Sequence, residues 1–218
     1  MSFLLTNSSS IEYWNKFGGQ YVAMIEAMNP QPDEVIIASL VPLNVPPFIR
    51  NIITKELFWD GIYEAVQASS CDWVVLAGVD QIMLPDGLVG LDRDCDAISI
   101  AGSTQHGELF QANPDGYERI LTSTNNPMGG MTVVKRDVYL AYPWRRSMYS
   151  DWIQWMQFRK VNIHVQFDTT QRFIHWRHPE AISFQPYPQG ESDAALFRNF
   201  INHYQIVPGQ DFPPLLVE

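Results

Sequence analysis

Asp80 is the residue whose setting most suggests chemistry. It follows the apolar run Trp73–Val79 (WVVLAGV) and precedes the turn signal Pro85-Asp86-Gly87. A run apolar on both faces reads as a central parallel strand covered by helices, here ending at Ala77. An acid just past the carboxyl end of such a strand lies on the edge where open α/β sheets bind ligands. There it can hold a divalent cation, which in turn neutralises a nucleotide diphosphate. The same carboxylate also suits a turn or an N-cap ahead of Pro85. Asp92, Asp94 and Asp96 alternate as well, but their polar flanks make them a solvated acidic turn rather than a cation cage. Asp151 follows Ser150 at the start of a helical stretch, where a carboxylate can take a proton and where the pair can equally cap the helix. Trp144, Tyr149, Trp152 and Trp155 concentrate aromatic surface nearby. Such rings stack on the C–H faces of a pyranose, although the helical spacing of Trp152, Trp155 and Met156 equally suits a core stripe. His106, His164 and His203 are isolated and receive no role.

The elements that must position these residues alternate through the first hundred positions. Ser2–Thr6 is a short apolar strand, and Asn7–Ser10 offers several N-caps. Ile11, Trp14, Phe17, Gly18, Tyr21, Met24, Ile25 and Met28 recur at helical spacing. Asn29-Pro30-Gln31-Pro32 stops that helix, Glu34–Leu40 is a β-branched strand, and Pro42, Pro46 and Pro47 mark an extended loop. A second helix fits Leu57–Ala68 ahead of the apolar run. Strand and helix in this order imply right-handed crossovers and an open α/β sheet. The second half adds a strand at Ala97–Ala101 and a hairpin of Leu109–Gln111 with Tyr117–Thr122 around Asn113-Pro114-Asp115-Gly116. A loop at Asn125–Gly130, a strand at Met131–Lys135 and a helix at Ser150–Arg159 follow. Short strands at Ile163–Phe167 and Gln171–His175 precede a last helix at Ser192–Tyr204 and a Pro-rich arm, Pro208–Glu218. The expected architecture is α/β: a mixed, mostly parallel central sheet flanked by helices, with a small β-hairpin. We expect one domain over residues 1–218, in two unequal halves of about 1–100 and 101–190 and a tail of about 191–218.

Composition narrows the class. The chain has 218 residues, with 14 Lys plus Arg against 24 Asp plus Glu, a formal charge of −10 that disfavours nucleic-acid phosphates and anionic membranes as partners. Apolar residues at 46% against 17% charged describe a folded chain. Phe3–Leu5 is too short for a secretory segment, no stretch approaches the roughly 18 apolar residues of a membrane span, and Cys71 and Cys95 form no CxxC pair. The expectation is a soluble, cytoplasmic protein with reduced thiols and no stable membrane insertion.

The order of these signals resembles the GT-A fold of nucleotide-sugar glycosyltransferases, most of all the family 2 enzymes. WVVLAGVDQIMLPDGL is similar to that family's strand, acidic DxD-type metal motif and Pro-Asp-x-Leu turn, with Asp80 in the second acidic position. FWDGIYEAVQASSCDW resembles the helix before it, with Asp60-Gly61-Ile62 at a patterned position. Gly129-Gly130-Met131 with Val134-Lys135-Arg136 resembles the acceptor-side Gly loop and its strand, and Ser150-Asp151-Trp152 falls where an acidic pair supplies the general base. The resemblance spans roughly residues 2–180. It implies transfer of a sugar from a nucleotide-diphosphate sugar, UDP-linked above all, to an acceptor hydroxyl by an inverting, metal-assisted route. Asp151 would be the base; Thr6, Asp60, Asp80, Arg172 and Arg177 would hold the donor; Gly129, Gly130, Trp144 and Trp152 would hold the acceptor. Mn²⁺ or Mg²⁺ would be bound by Asp80 with His175 or His178 of His175-Trp176-Arg177-His178, since strand positions three apart face opposite ways. Imidazole favours Mn²⁺. The acceptor stays open between a saccharide, a lipid carrier, a protein side chain and a modified nucleic-acid base. Three positions depart from the family pattern: Gly78 stands for the first acid, EVIIASLVPLN lacks the Asp that holds uracil, and Ser150 stands for the usual Glu. Those losses also fit a module that kept the fold and lost the chemistry. A nucleotidyltransferase would need a glycine-rich, basic loop after the first strand, which Thr6–Ser10 does not provide.

Overall fold

The computed structural model describes residues 2–57, 59–91, 94–110, 114, 131–144 and 150–176. In chain order the elements are β1 (Phe3–Ser8), α1 (Ile11–Ala27), β2 (Glu34–Ser39), β3 (Arg50–Ile53), α2 (Trp59–Ala68), β4 (Trp73–Leu76), β5 (Gln81–Met83) and β6 (Ala97–Thr104). They continue with β7 (Leu109–Phe110), β8 (Met131–Lys135), α3 (Arg136–Ala141), α4 (Ser150–Lys160) and β9 (Val165–His175). The strands form one sheet in the order β3-β2-β1-β4-β8-β6-β9-β5, with β7 paired to β6. β1, β2, β3, β4, β6 and β9 run one way, and β5, β7 and β8 run the other. The sheet is thus mixed and mostly parallel.

Period-two alternation divides the core into two layers. Phe3, Leu5, Val35, Ile37, Trp73, Val75, Ile98 and Val133 face α1, which returns Trp14, Phe17, Tyr21, Met24 and Ile25 from one stripe. Leu4, Ile36, Val74, Leu76, Ala97 and Val134 face the opposite layer, built from α2 (Ile62, Ala65, Val66), α3 (Tyr139) and α4 (Trp155, Met156, Phe158). Each such side chain fully buried contributes about 1.5–3 kcal/mol relative to exposure. Because β1, β2 and β4 are apolar on both faces, neither layer can be removed without exposing a hydrophobic surface.

The connections place the site. From β1 the chain crosses over α1 to β2 and then β3, and it returns over α2 to lay β4 on the other side of β1. The strand order therefore reverses between β1 and β4, with α1 and α2 on opposite faces. Such a reversal leaves a crevice beyond the carboxyl ends of the two strands, where open α/β sheets take their ligands.

Several elements differ from expectation for reasons of packing. β3 forms where the sequence reads only a Pro-rich loop and the approach to a helix, because Arg50–Ile53 hydrogen-bonds to Ile36–Ser39 as an edge strand. β5 is three residues long and exists only through its antiparallel pairing with Phe173–His175. The two short strands expected at 163–175 are one strand, β9, irregular opposite Ile100–Gly102 of β6. Leu109–Phe110 pairs back onto Gly102–Ser103 of β6, and the second arm expected at Tyr117–Thr122 lies outside the described residues. So do the loop at 125–130, the last helix at 192–204 and the terminal arm. Among the described residues no helix is long and apolar enough to cross a membrane.

Candidate functional site

β4 ends at Leu76, and the chain turns at once. The Gln81 N–H donates to the Gly78 carbonyl (2.9 Å), and the Gly78 N–H donates to the Gln81 side-chain oxygen (2.9 Å). Val79 and Asp80 occupy the middle of this turn, as the turn reading of Asp80 expects. The β5–β9 ladder then sets His175 opposite Gln81, and the Trp176 N–H donates to the Asp80 carbonyl (2.7 Å).

These constraints bring Asp80 and His175 together across 95 positions of sequence, with His175 Nε2 3.3 Å from Asp80 Oδ2. The Tyr13 hydroxyl, from the first turn of α1, donates to the same Oδ2 at 3.0 Å. Tyr13 is anchored in turn, since its N–H donates to the N-cap Ser10 hydroxyl (3.1 Å) and its ring packs on Phe17 with centroids 4.8 Å apart. The Asp80 and His175 side chains are 14% and 18% exposed, so both are enclosed without being fully buried. Burial pushes the Asp80 carboxyl up, but the hydrogen bond and charge of His175, with the Tyr13 hydroxyl, outweigh it and hold the group below the ordinary aspartate range. Asp80 is therefore an anion at neutral pH.

An octahedral cation with bonds of about 2.1 Å sets neighbouring ligand atoms about 3 Å apart. The 3.3 Å between Oδ2 and Nε2 fits two adjacent positions of such an ion. His178 lies outside the described residues, as do Arg177, Gly129 and Gly130. Among the described residues no three His, Cys, Asp or Glu side chains gather in one cluster.

The other expected residues are placed as follows. Thr6 is fully buried beside Leu76 of β4, and its hydroxyl donates to the Ile36 carbonyl (3.0 Å) inside the β1–β2 ladder. Asp60 stands half-buried in the first turn of α2, beyond the carboxyl end of β3. Arg172 is engaged within the protein. Its Nε and Nη2 each meet Asp168 Oδ2 at 2.7 Å, and Nη1 donates to the Val89 carbonyl at 2.6 Å and the Gly87 carbonyl at 3.4 Å. The guanidinium fastens the loop after β5 to β9. Trp144 packs on the α2–α4 layer with its indole N–H donating to the Gln154 side chain (3.0 Å), and Trp155 is buried beside it. Trp152 is on α4, with its side chain outside the described set. Asp151 is exposed in the first turn of α4. β9 starts beside Ala97, at the amino end of β6, and runs parallel to it toward the edge that also carries Asp80. Asp96 accepts from Lys135 Nζ (2.8 Å) and the His164 N–H (3.1 Å), tying β8 and the start of β9 to the approach to β6.

Tyr13 is the site residue that the sequence reading missed. Its neighbour Trp14 carries the helix's buried stripe, and nothing local separates a tyrosine at the stripe's margin from one that reaches a carboxylate 67 positions away. Asn7 is a second such residue. At the end of β1 it is 6% exposed, its Oδ1 accepts the Ser8 N–H (2.6 Å), and its Nδ2 has no hydrogen-bond partner among the described residues.

No family model and no curated protein matches the sequence. Solved structures do match in three dimensions. TarS of S. aureus in complex with UDP-GlcNAc superposes with a TM-score of 0.62 at 10% identity, over 82% of this chain and 59% of that one. The mannosyltransferase PcManGT of Pyrobaculum calidifontis, in complex with GDP-Man and Mn²⁺, gives 0.61 at 11% identity, over 83% and 58%. Glucosyl-3-phosphoglycerate synthase of Mycobacterium tuberculosis, with Mn²⁺, UDP and glucosyl-3-phosphoglycerate, gives 0.59 at 12% identity, over 95% and 81%. The chain spans about 60% of the length of the first two. The fold of this chain is the GT-A fold that those glycosyltransferases share.

Proposed function

We propose that the chain is a glycosyltransferase that moves a sugar from a nucleotide-diphosphate sugar to an acceptor hydroxyl, with inversion and with help from a divalent cation. The observation that carries this reading is the Asp80–His175 pair, assembled from distant segments in the crevice where the strand order reverses. Asp80 and His175 would hold the ion, Mn²⁺ or Mg²⁺. Bound there, the ion supplies positive charge to the leaving nucleoside diphosphate. Asp80 keeps its negative charge for this task because His175 and Tyr13 stabilise it. Asp151, in the first turn of α4, is the candidate base that takes the acceptor hydroxyl's proton as that oxygen attacks the anomeric carbon. Residues 1–100 serve the donor and residues 101–190 the acceptor in this reading, with Asp60, Arg177 and His178 as further donor-side candidates and Gly129, Gly130 and Trp152 on the acceptor side. UDP-GlcNAc and GDP-Man in the structural neighbours support a nucleotide sugar as donor and do not choose between uridine and guanosine.

The test is calorimetric titration of UDP- and GDP-sugars with and without Mn²⁺, paired with an assay for slow donor hydrolysis. Cation-dependent binding and hydrolysis that Asp80→Asn removes support the reading. Binding of sugars without any turnover, unchanged in Asp80→Asn, would leave a sugar-binding module instead.

A further inference from the structure

The segment Gly78-Val79-Asp80 carries one carboxylate where the resembling motif carries two, and the turn bears on why. A Cβ built at Gly78 would run into Asp80 Oδ1. The backbone itself is no obstacle, since the left-handed glycines among the described residues are Gly90 and Gly107. The constraint is steric: Asp80 folds back over the Gly78 Cα, which turns its Oδ2 toward His175 and Tyr13. Tyr13 closes the arrangement from α1, with its own backbone and ring already held by Ser10 and Phe17.

We propose that Tyr13 and Gly78 are positioning residues that together aim the Asp80 carboxylate at His175, so that this site is built on one carboxylate and an acid added at position 78 would break it. The inference rests on the cation reading of Asp80 and His175 for its consequence in binding, but the positioning itself concerns the protein alone. Partners that orient a metal ligand through its other contacts typically change metal affinity 10–100-fold when removed.

Two readouts separate the claims. Mn²⁺ affinity is measured by electron paramagnetic resonance, and the His175 ring ¹⁵N resonances, identified by their loss in His175→Gln, are recorded without metal. Tyr13→Phe keeps the ring on Phe17 and should melt close to the parent protein, while shifting the His175 resonances and weakening Mn²⁺ about 10–100-fold. Gly78→Ala should do the same by displacing Asp80. Gly78→Asp, which restores two carboxylates in the local spelling, should weaken Mn²⁺ rather than strengthen it. Tighter binding in Gly78→Asp, or unshifted His175 resonances in both Tyr13→Phe and Gly78→Ala, overturns the proposal. If the parent protein binds no Mn²⁺, the cation reading falls, and the His175 resonances alone decide whether Tyr13 and Gly78 position Asp80.

Discussion

Asp80 combines a turn residue's backbone with an anion's side chain, and the two roles depend on different neighbours. The turn needs Gly78 and Gln81; the charge needs His175 and Tyr13. Asp80→Asn keeps the shape and removes the charge. It should abolish cation-dependent donor binding in calorimetry while leaving the melting temperature within a few degrees. Gly102 presents a second steric demand: a Cβ there would lie 2.5–2.6 Å from the ring of Phe173, which is 1% exposed and cannot swing away. Gly102→Ala should cost about 1–3 kcal/mol in denaturant unfolding, as overpacking does, and Phe173→Leu should restore part of it. Asp80 is legible in the sequence because a long apolar run announces a central strand and an acid follows its end. Tyr13 and the Val89 carbonyl contact of Arg172 are not, because those partners lie 67 and 83 positions away and local spacing carries no information about them.

At the scale of elements, the Asp168–Arg172 pair is the fastening of β9. It sits at the irregularity opposite Ile100–Gly102 and ties the strand to the carbonyls of the loop after β5, just before His175 enters the site. Burial raises the Asp168 carboxyl, but the Arg172 guanidinium and the Thr170 N–H outweigh it, so its folded value lies below the unfolded one. The stabilisation is therefore complete above about pH 3.9, the ordinary aspartate value, and is lost as pH falls through the lower folded value. Arg172→Met should cost about 1.5–3 kcal/mol at neutral pH, the range for hydrogen bonds to charged groups. Its acid unfolding should also lose part of the parent's slope below pH 4, measured by circular dichroism. If β9 is what carries His175, the same variant should weaken Mn²⁺ binding, whereas an exposed substitution such as Thr169→Ala should not.

The whole molecule is a two-layered sheet whose ligand edge is set by topology. Phe158, fully buried in the α2–α4 layer, lies in the helix that bears Asp151. Phe158→Ala should cost about 3–5 kcal/mol of stability by urea unfolding. On the proposed function, a nucleotide sugar with Mn²⁺ would bind the folded state alone, so at about 100 times its Kd it should add about 2.7 kcal/mol and raise Tm by roughly 5–10 °C in a thermal-shift screen. A screen of UDP- and GDP-sugars with no such shift would remove the donor assignment. Apolar periodicity determined, by itself, that β4 is buried on both faces, that α1 offers one stripe, and that an acid stands where the central strand ends, because these depend on residues close together in the chain. The tertiary structure alone decided that β3 and β5 exist, that the Thr6 hydroxyl bonds the Ile36 carbonyl and Arg172 the Val89 carbonyl, and that Tyr13 and His175 converge on one carboxylate oxygen. Short strands and buried polar partnerships draw their stability from contacts between distant segments, and only the folded chain brings those segments within a hydrogen bond's reach.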